Sequence, residues 1–554
     1  MSPTVNALPG CLPLRQWADL LRHPPNGVYR ALAQCYGDDA SLLREKAFLC
    51  LRAVEKFASE FGVDREVFIV RSTGRVNLMG MHIDHRGGFV HPIAVHEVFF
   101  VAGARDDDLV RLTNAEESLY ADAVFAIARE LPPHRIEDWD TWTHHEHQRR
   151  VRAGQAGHWS NYAKAAVLYL QHRHTTSSGR FAPALKGMDV AVMGNIPPAA
   201  GLSSSSALVV GFAEACLHRN RIAMSPRDLV DLCGAAEWYV GTRGGQGDHA
   251  AIKFGRRGHI LHIGSFPLSV ESFPLPPGYA VILTNSCIEA RKQVGARDIF
   301  NERVAAYELG LLLLRRNYPE HAPRMEHLRD VNPRILGVSE QEIYRMIRSL
   351  PECATRDEIR HLLRDRADHV ERILRTHAEP RQGYRIRQVV MYGIAECIRS
   401  EMAAEMLRQG DVAGFGEIMN ISHDGDRVSR LVRGQRVPVD NSLPDIKIDR
   451  LIADLESGDP QLAKGAALWR QPGGYDVSTP ELDTIVDLAR AVPGTVGAGR
   501  VGAGLGGACV VLVREDQAGQ VMQTLIEGYY RPRNLEPACE IVAPVGGAGV
   551  LIPA

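Results

Sequence analysis

The residues best suited to handling an anion lie at 196–209, IPPAAGLSSSSALV. An apolar run, residues 188–193 (MDVAVM), precedes them, and a helix-like pattern from 207 to 218 follows. A strand that turns through small residues into a helix leaves the N–H groups of the first helical turn unpaired. Together with the positive end of the helix dipole, those groups make an anion site. Gly201, Ser203, Ser204, Ser205 and Ser206 would let a phosphate approach, and their hydroxyls could add donors or a Mg2+ ligand. The same serines also read as an N-cap with no ligand. No Gly-Lys-Ser/Thr follows, so this is not the Walker pattern.

A second cluster is residues 74–88, GRVNLMGMHIDHRGG, which packs Arg75, Asn77, His82, Asp84, His85 and Arg86 around apolar residues and glycines. Such density of polar groups on a tight strand–turn–strand loop suggests ligand contacts. A satisfied polar turn is the plainer reading, and a chelate through His82-x-Asp84-His85 is a third. Downstream lie two isolated acids. Glu237 sits among apolar neighbours, as a surface group or a buried functional one. Asp248 ends a glycine-rich loop, residues 241–249 (GTRGGQGDH), where glycines permit close approach of a ligand. Trp159 and Tyr162, three apart on a helical pattern, are core residues or a platform for a flat ring.

The elements that must position these groups follow from periodicity. Strands are expected at 67–71, 95–104, 188–193 and 279–284. A strong helix is expected at 42–61, where Leu43, Ala47, Leu51, Val54 and Phe57 recur at three- and four-residue steps. Further helices are expected at 159–170, 229–240, 299–314, 386–398 and 480–491. Residues 105–155 look charged and loop-rich, with the histidine-dense 143–150 (THHEHQRR) as a solvated loop. Residues 424–474 turn polar and read as an insertion, and 496–512 as a glycine-rich turn running into a strand. The 554-residue length suggests two to four domains. A formal net charge of −2 argues against a nucleic-acid binder. Ten scattered cysteines without a CxxC pair fit reduced thiols. With no signal pattern and no membrane-length apolar run, a cytoplasmic protein is expected, with no membrane partner.

Taken in order, these pieces resemble the GHMP small-molecule kinase superfamily, and within it the galactokinase family. Residues 74–78 with His82 and Asp84 look like the family's sugar-binding signature, 197–207 like its phosphate loop, and 502–507 (GAGLGG) like its third motif. Trp159-Ser-Asn-Tyr162, the spacing of Glu237 and Asp248, Thr284-Asn285-Ser286 and residues 475–483 (YDVSTPELD) add to the likeness, which spans about residues 65–515. The resemblance implies an α+β fold of two lobes. The N-terminal lobe would be ribosomal-protein-S5-domain-2-like and the C-terminal lobe ferredoxin-like α+β, with the site between them. The expected division is a helical extension at 1–40, the first lobe at 41–275, and the second at 276–554, with a surface insertion near 424–474.

The resemblance also implies roles. Asp248 would be the general base toward a sugar's anomeric hydroxyl, with Arg75 beside it. His82, Asp84 and Gly245 would contact sugar hydroxyls, with Met81 and Phe300 at two further sugar-facing positions. Trp159 and Tyr162 would line the adenine pocket, and Gly201, Ser203, Ser204 and Ser205 would cradle the ATP phosphates. Glu237 with Ser203 or Ser205 would hold Mg2+. Three departures bear on the sugar. Met81 stands where the family has Glu, His85 where it has Tyr, and Phe300 where it has Tyr. Loss of two hydrogen-bonding partners near a sugar weakens the case for galactose itself. The string 82–88 (HIDHRGG) also looks like the galacturonokinase branch, in which Arg86, Arg243 or Arg291 would pair with a uronate. Two other functions stay open: a sugar- and ATP-binding sensor without turnover, and a kinase for another small alcohol. Oligomeric state is not legible.

Overall fold

The computed structural model describes residues 8–174, 184–198, 200–289 and 296–553. Its first sheet has seven strands. Six run in the order Leu12–Pro13, Glu66–Asn77, Pro92–Ala104, Met188–Gly194, Leu109–Asn114, Ala123–Ala126, and Gly549–Leu551 also pairs with Glu66–Asn77. All pairings are antiparallel except that of Leu109–Asn114 with Met188–Gly194. The strands read as continuous apolar runs because both faces are covered. Side chains alternate across a strand. Phe68, Val70 and Phe100 therefore face a core built from the helices Ser160–Arg173 and Ser204–Arg219. Val67, Ile69, Phe99 and Val101 face the opposite way, onto the helices Leu14–Arg22, Gly27–Tyr36 and Ala40–Phe61.

The expected N-terminal extension is thus part of the first lobe. Trp17 is fully buried and its indole N–H donates to Val67 O at 3.1 Å. The boundary at residue 275 also needs correction. The strand Gly549–Leu551 returns to the first sheet, and Arg71 donates to the carbonyls of Gly546 and Gly547, each at 2.9 Å.

The second lobe carries a four-stranded antiparallel sheet, ordered Thr495–Arg500, Ala508–Arg514, Tyr279–Asn285, Cys539–Val542. In chain order, helices lie between the first and second of these strands and between the third and fourth, which is the split βαβ arrangement of ferredoxin-like folds. Ala280 and Ile282 pack on the helices Pro480–Arg490 and Ala518–Leu525. Val281 and Leu283, on the other face, join an apolar cluster with Val76, Leu78, Ile93, Leu202, Phe415 and Val501. That cluster runs under both lobes and fixes one against the other.

Two regions differ from expectation. Residues 143–150 belong to a helix, Trp139–Arg152, capped by the Asp138 carboxylate on Thr141 N. Its buried stripe is Trp139, Thr143 and Arg150, too few apolar residues to show as a helical period. Residues 424–474 are not simply a surface insertion. The helix Val412–Asp426 ends inside the stretch, and Ile448 and Leu468 are fully buried in the same core as Tyr344. The Tyr344 hydroxyl donates to Ala466 O at 2.6 Å. No helix among the described residues is long and apolar enough to cross a membrane.

Candidate active site

Arg75 leaves the strand Glu66–Asn77 into the gap between the lobes. Its Nε and Nη2 donate to the two carboxylate oxygens of Asp248 at 2.6 and 2.7 Å, and its Nη1 donates to Gly201 O at 2.6 Å. One guanidinium therefore ties the acid to the glycine of the serine loop. The fork geometry is what only arginine offers a carboxylate. Asp248 sits in the first turn of Gly247–Phe254, where a helix favours negative charge. Its other neighbour is the Ser203 hydroxyl, which donates to Oδ2.

The serines separate by face. Ser203 is left-handed at φ 55° and begins the helix Ser204–Arg219 without a side-chain cap. Its hydroxyl is on Asp248 instead, so Ser203 does not cap the helix, and among the described residues no side chain accepts from the first-turn N–H groups. Ser206, three residues on and on the same side, donates to Glu237 Oε1 at 2.8 Å. Ser204 and Ser205 turn away and line a neighbouring cavity. Of the oxygen set expected at Ser203, Ser205 and Glu237, Ser203 stands on Asp248 and Ser205 on the neighbouring cavity, while Ser206 is the serine beside Glu237. Glu237 is 7% exposed, and His249 Nε2 stands 3.5 Å from its Oε1. Burial opposes the charged form of His249, but the Glu237 carboxylate more than offsets this and raises the imidazole above its ordinary value.

That neighbouring cavity, about 380 Å³, is lined by Trp159, Tyr162, Tyr120, Ile196, Leu208 and the two serines. Trp159 is both core and wall. It belongs to the first lobe's apolar cluster and its N–H donates to Ala121 O at 2.7 Å.

On the other side of Arg75 and Asp248 lies a cavity of about 200 Å³, lined among others by Met81, His82, Asp84, Gly245, Phe300 and Gly502. Asp84 accepts from His85 Nδ1 at 3.0 Å. Burial would raise the Asp84 carboxyl, but that hydrogen bond and the imidazole's charge hold it below the usual range. Gly245 faces Asp84 so closely that a Cβ there would lie 2.0 Å from Oδ2. Met81 is buried, with Asn77 Nδ2 3.5 Å from its sulfur. His82 and His85 diverge. His85 pairs with Asp84, while His82 stacks on Tyr475 at 3.9 Å and meets Arg500. The chelate reading of that loop has no geometry behind it.

Residues 502–507 close the site from the second lobe. Gly502 and Gly201 pack backbone to backbone, both at positive φ, and a Cβ on Gly502 would lie 2.9 Å from Gly201 Cα. Only glycines allow both the dihedral and the approach. Of the three arginines expected to meet a uronate, Arg86 pairs with Glu308 at 2.9 Å and Arg243 with Asp140. Arg291 lies outside the described residues.

Sequence reasoning missed Ser206 on Glu237, and Asp426, Arg500 and Glu396 behind the loop of residues 78–88. One signal was present for Glu396. It follows the apolar run 389–395 and stands three residues before Arg399, and both are fully buried.

Three stretches of the chain match known family models. Residues 161–256 match the GHMP kinases N-terminal domain, 451–531 the GHMP kinases C-terminal domain, and 55–105 the galactokinase galactose-binding signature. A galactokinase from Roseiflexus sp. is 28% identical over 478 residues, covering 86% of this chain and 90% of the relative. One from Chloroflexus aggregans is 28% identical over 486 residues, covering 87% and 92%. Among solved structures, Lactococcus lactis galactokinase complexed with galactose superposes with a TM-score of 0.60 at 21% identity, covering 89% of this chain and 97% of that one.

Proposed function

We infer that this chain, which belongs to the GHMP kinase superfamily and carries the galactokinase galactose-binding signature, is an ATP-dependent sugar 1-kinase. It transfers the γ-phosphate of ATP to the anomeric hydroxyl of a galactose-configured sugar. The observation that carries this reading is the placement of Asp248. It is gripped on both oxygens by Arg75, at the boundary between a small cavity that Asp84 and His82 line and the uncapped start of a helix.

Phosphoryl transfer asks for positioning and charge neutralisation more than for covalent help. The sugar occupies the cavity beside Asp84, His82 and Gly245. The adenine lies between Trp159 and Tyr162, and the phosphates reach from there across the N–H groups of the helix Ser204–Arg219. Asp248 orients the anomeric hydroxyl and accepts its proton. Arg75 holds that carboxylate in place and stabilises charge that develops beside it. The carboxylate of Glu237 and the hydroxyl of Ser206, side by side, are hard oxygen donors of the kind Mg2+ takes. Such an ion, when bound, neutralises phosphate charge. Arg86 and Arg243 are paired with carboxylates of the protein, which favours galactose over galacturonate.

The test is ADP release with ATP and Mg2+ against galactose, galacturonate, glucuronate, arabinose, fucose and N-acetylgalactosamine, with Asp248→Asn run in parallel. Turnover of galactose that Asp248→Asn lowers by about 100-fold or more is expected. ATP binding without turnover of any of the sugars would overturn the proposal.

A further inference from the structure

The loop of residues 78–88 belongs to the first lobe, yet one face of a second-lobe helix holds its backbone. Residues four apart share a face of a helix. On Ile386–Gln409 the residues Tyr392, Glu396 and Ser400 are spaced in this way, and all three are fully buried. The Tyr392 hydroxyl donates to Met81 O at 3.4 Å. Glu396 Oε1 accepts from the N–H groups of Gly80 at 3.2 Å and of Met81 at 2.9 Å, and from Ser422 Oγ at 2.7 Å. Ser400 Oγ accepts from Phe89 N–H at 3.1 Å, just past the end of the loop.

Each of these contacts with the loop is to its main chain. Successive N–H groups that converge on one oxygen form an anion-binding concavity. Gly80 makes this one possible: its φ is 85°, and a Cβ there would lie 2.0 Å from Phe89 O. The protein fills the concavity with its own carboxylate. Glu396 Oε2 accepts from Arg399 Nε at 2.8 Å, so the hydrogen-bonding partners of both oxygens are donors. Arg399 is fully buried in turn, and its Nη1 donates to Trp469 O and Gln471 O, each at 2.8 Å. A buried charge is tolerated when it is paired and hydrogen-bonded. Residues 469–471, in the polar stretch of the chain, therefore complete a series of contacts that runs through Arg399 and Glu396 to the loop.

The loop forms a wall of the sugar cavity. Gly80, Met81, His82, Asp84 and His85 line it, and Tyr392, Glu396 and Ser400 stand behind that lining. We propose that Tyr392, Glu396 and Ser400 are positioning residues for the sugar, with Glu396 the chief of them. They fix the backbone from which Met81 and its neighbours meet the substrate. The grip is on peptide groups, so it does not depend on which side chain stands at position 81. The cavity of Trp159 and Tyr162 shares none of these contacts, so the effect falls on sugar binding and not on ATP binding. The inference rests on the sugar-kinase reading for the identity of the ligand.

Two double variants test it. Removing one member of a buried ion pair leaves the other charge stranded, so both members change in each variant. Glu396→Gln with Arg399→Met keeps an oxygen for the two N–H groups. Glu396→Leu with Arg399→Met does not. The leucine variant should show a galactose KM at least about fivefold above that of the glutamine variant, with the two ATP KM values within about twofold. A smaller ratio, or an equal rise in ATP KM, would overturn the proposal, because a general loss of structure spares neither substrate. Thermal melting checks that both variants fold. If the leucine variant does not fold, Ser400→Ala decides. It removes one acceptor and no charge, and should raise galactose KM at least about threefold with ATP KM within about twofold. A smaller rise would overturn the role of this helix face. If the enzyme turns over no sugar, the kinase reading fails, and amide exchange of the ligand-free protein judges the grip. The Gly80 and Met81 amides should exchange at least about a hundredfold slower than in an unfolded chain, and faster exchange would show that Glu396 does not hold them.

Discussion

Replacing Gly245 with alanine isolates one contact in the sugar cavity. Gly245 has no positive φ, so alanine is not strained by the backbone itself. The added Cβ would lie 2.0 Å from Asp84 Oδ2 and 2.5 Å from Cγ, where carbon contacts settle near about 3.5 Å. Asp84 must retreat by more than about 1 Å. Its ways out are limited. His85 Nδ1 holds Oδ1 at 3.0 Å. Overpacking of this kind costs about 1–3 kcal/mol. Charged wholly to the sugar complex, that raises sugar KM by about 5- to 150-fold and leaves ATP KM unchanged. The assay is ADP release over a sugar titration, with thermal melting as the check on folding. Asp84→Ala supplies the control. If the clash with Asp84 is the cause, adding Gly245→Ala to Asp84→Ala changes nothing further, and the cycle shows a coupling of the same size. A sugar KM within twofold of the parent, or losses that simply add, would refute the reasoning.

Two further outcomes follow from the buried groups. Glu237→Gln keeps the hydrogen bond to Ser206 but removes the charge, so the Mg2+ concentration for half-maximal ADP release should rise at least about tenfold; an unchanged midpoint would remove Glu237 from the metal set. Burial holds the imidazoles of His262 and His423 down at about 4, against about 6.5 in an unfolded chain. A depressed folded pKa means the unfolded state binds more protons, so stability present above pH 6.5 is lost as pH falls toward 4, by up to about 3 kcal/mol per group. Asp426, pushed up to about 7 by burial, acts in the opposite sense and loses stability as pH rises through 7. The histidines outnumber it, so the urea midpoint should fall between pH 7 and pH 4.5, and a flat profile would contradict the assignment.

Much of the fold was legible along the chain because local pattern sets it. The run YAVILT predicted a buried strand, and Tyr279–Asn285 is one, with Ala280 and Ile282 facing one core and Val281 and Leu283 another. The small residues at 196–209 predicted a strand-to-helix turn open to an anion, and the helix Ser204–Arg219 begins there uncapped. Where burial was carried by charged or polar residues, the pattern was silent. Arg150 lies under a helix read as a loop, its guanidinium 3.7 Å from the Tyr239 ring. Ile448 and Leu468 are core residues inside a polar stretch.

The site divides in the same way. Residue types marked Arg75, Asp84, Glu237 and Asp248 as candidates, and only their order along the chain, through the family resemblance, attached roles to them. Only the tertiary structure decided which serine meets which acid: Ser203 goes to Asp248 and Ser206 to Glu237. That choice depends on helix rotation against elements 31 and 45 residues away. Nor could the chain alone reveal that Arg500 reaches His82 across 418 residues and Asp426 across 74. Sequence periodicity reports which face of an element is buried. It does not report which buried charge on one element will meet which on another, because that pairing is set by the packing of the two lobes.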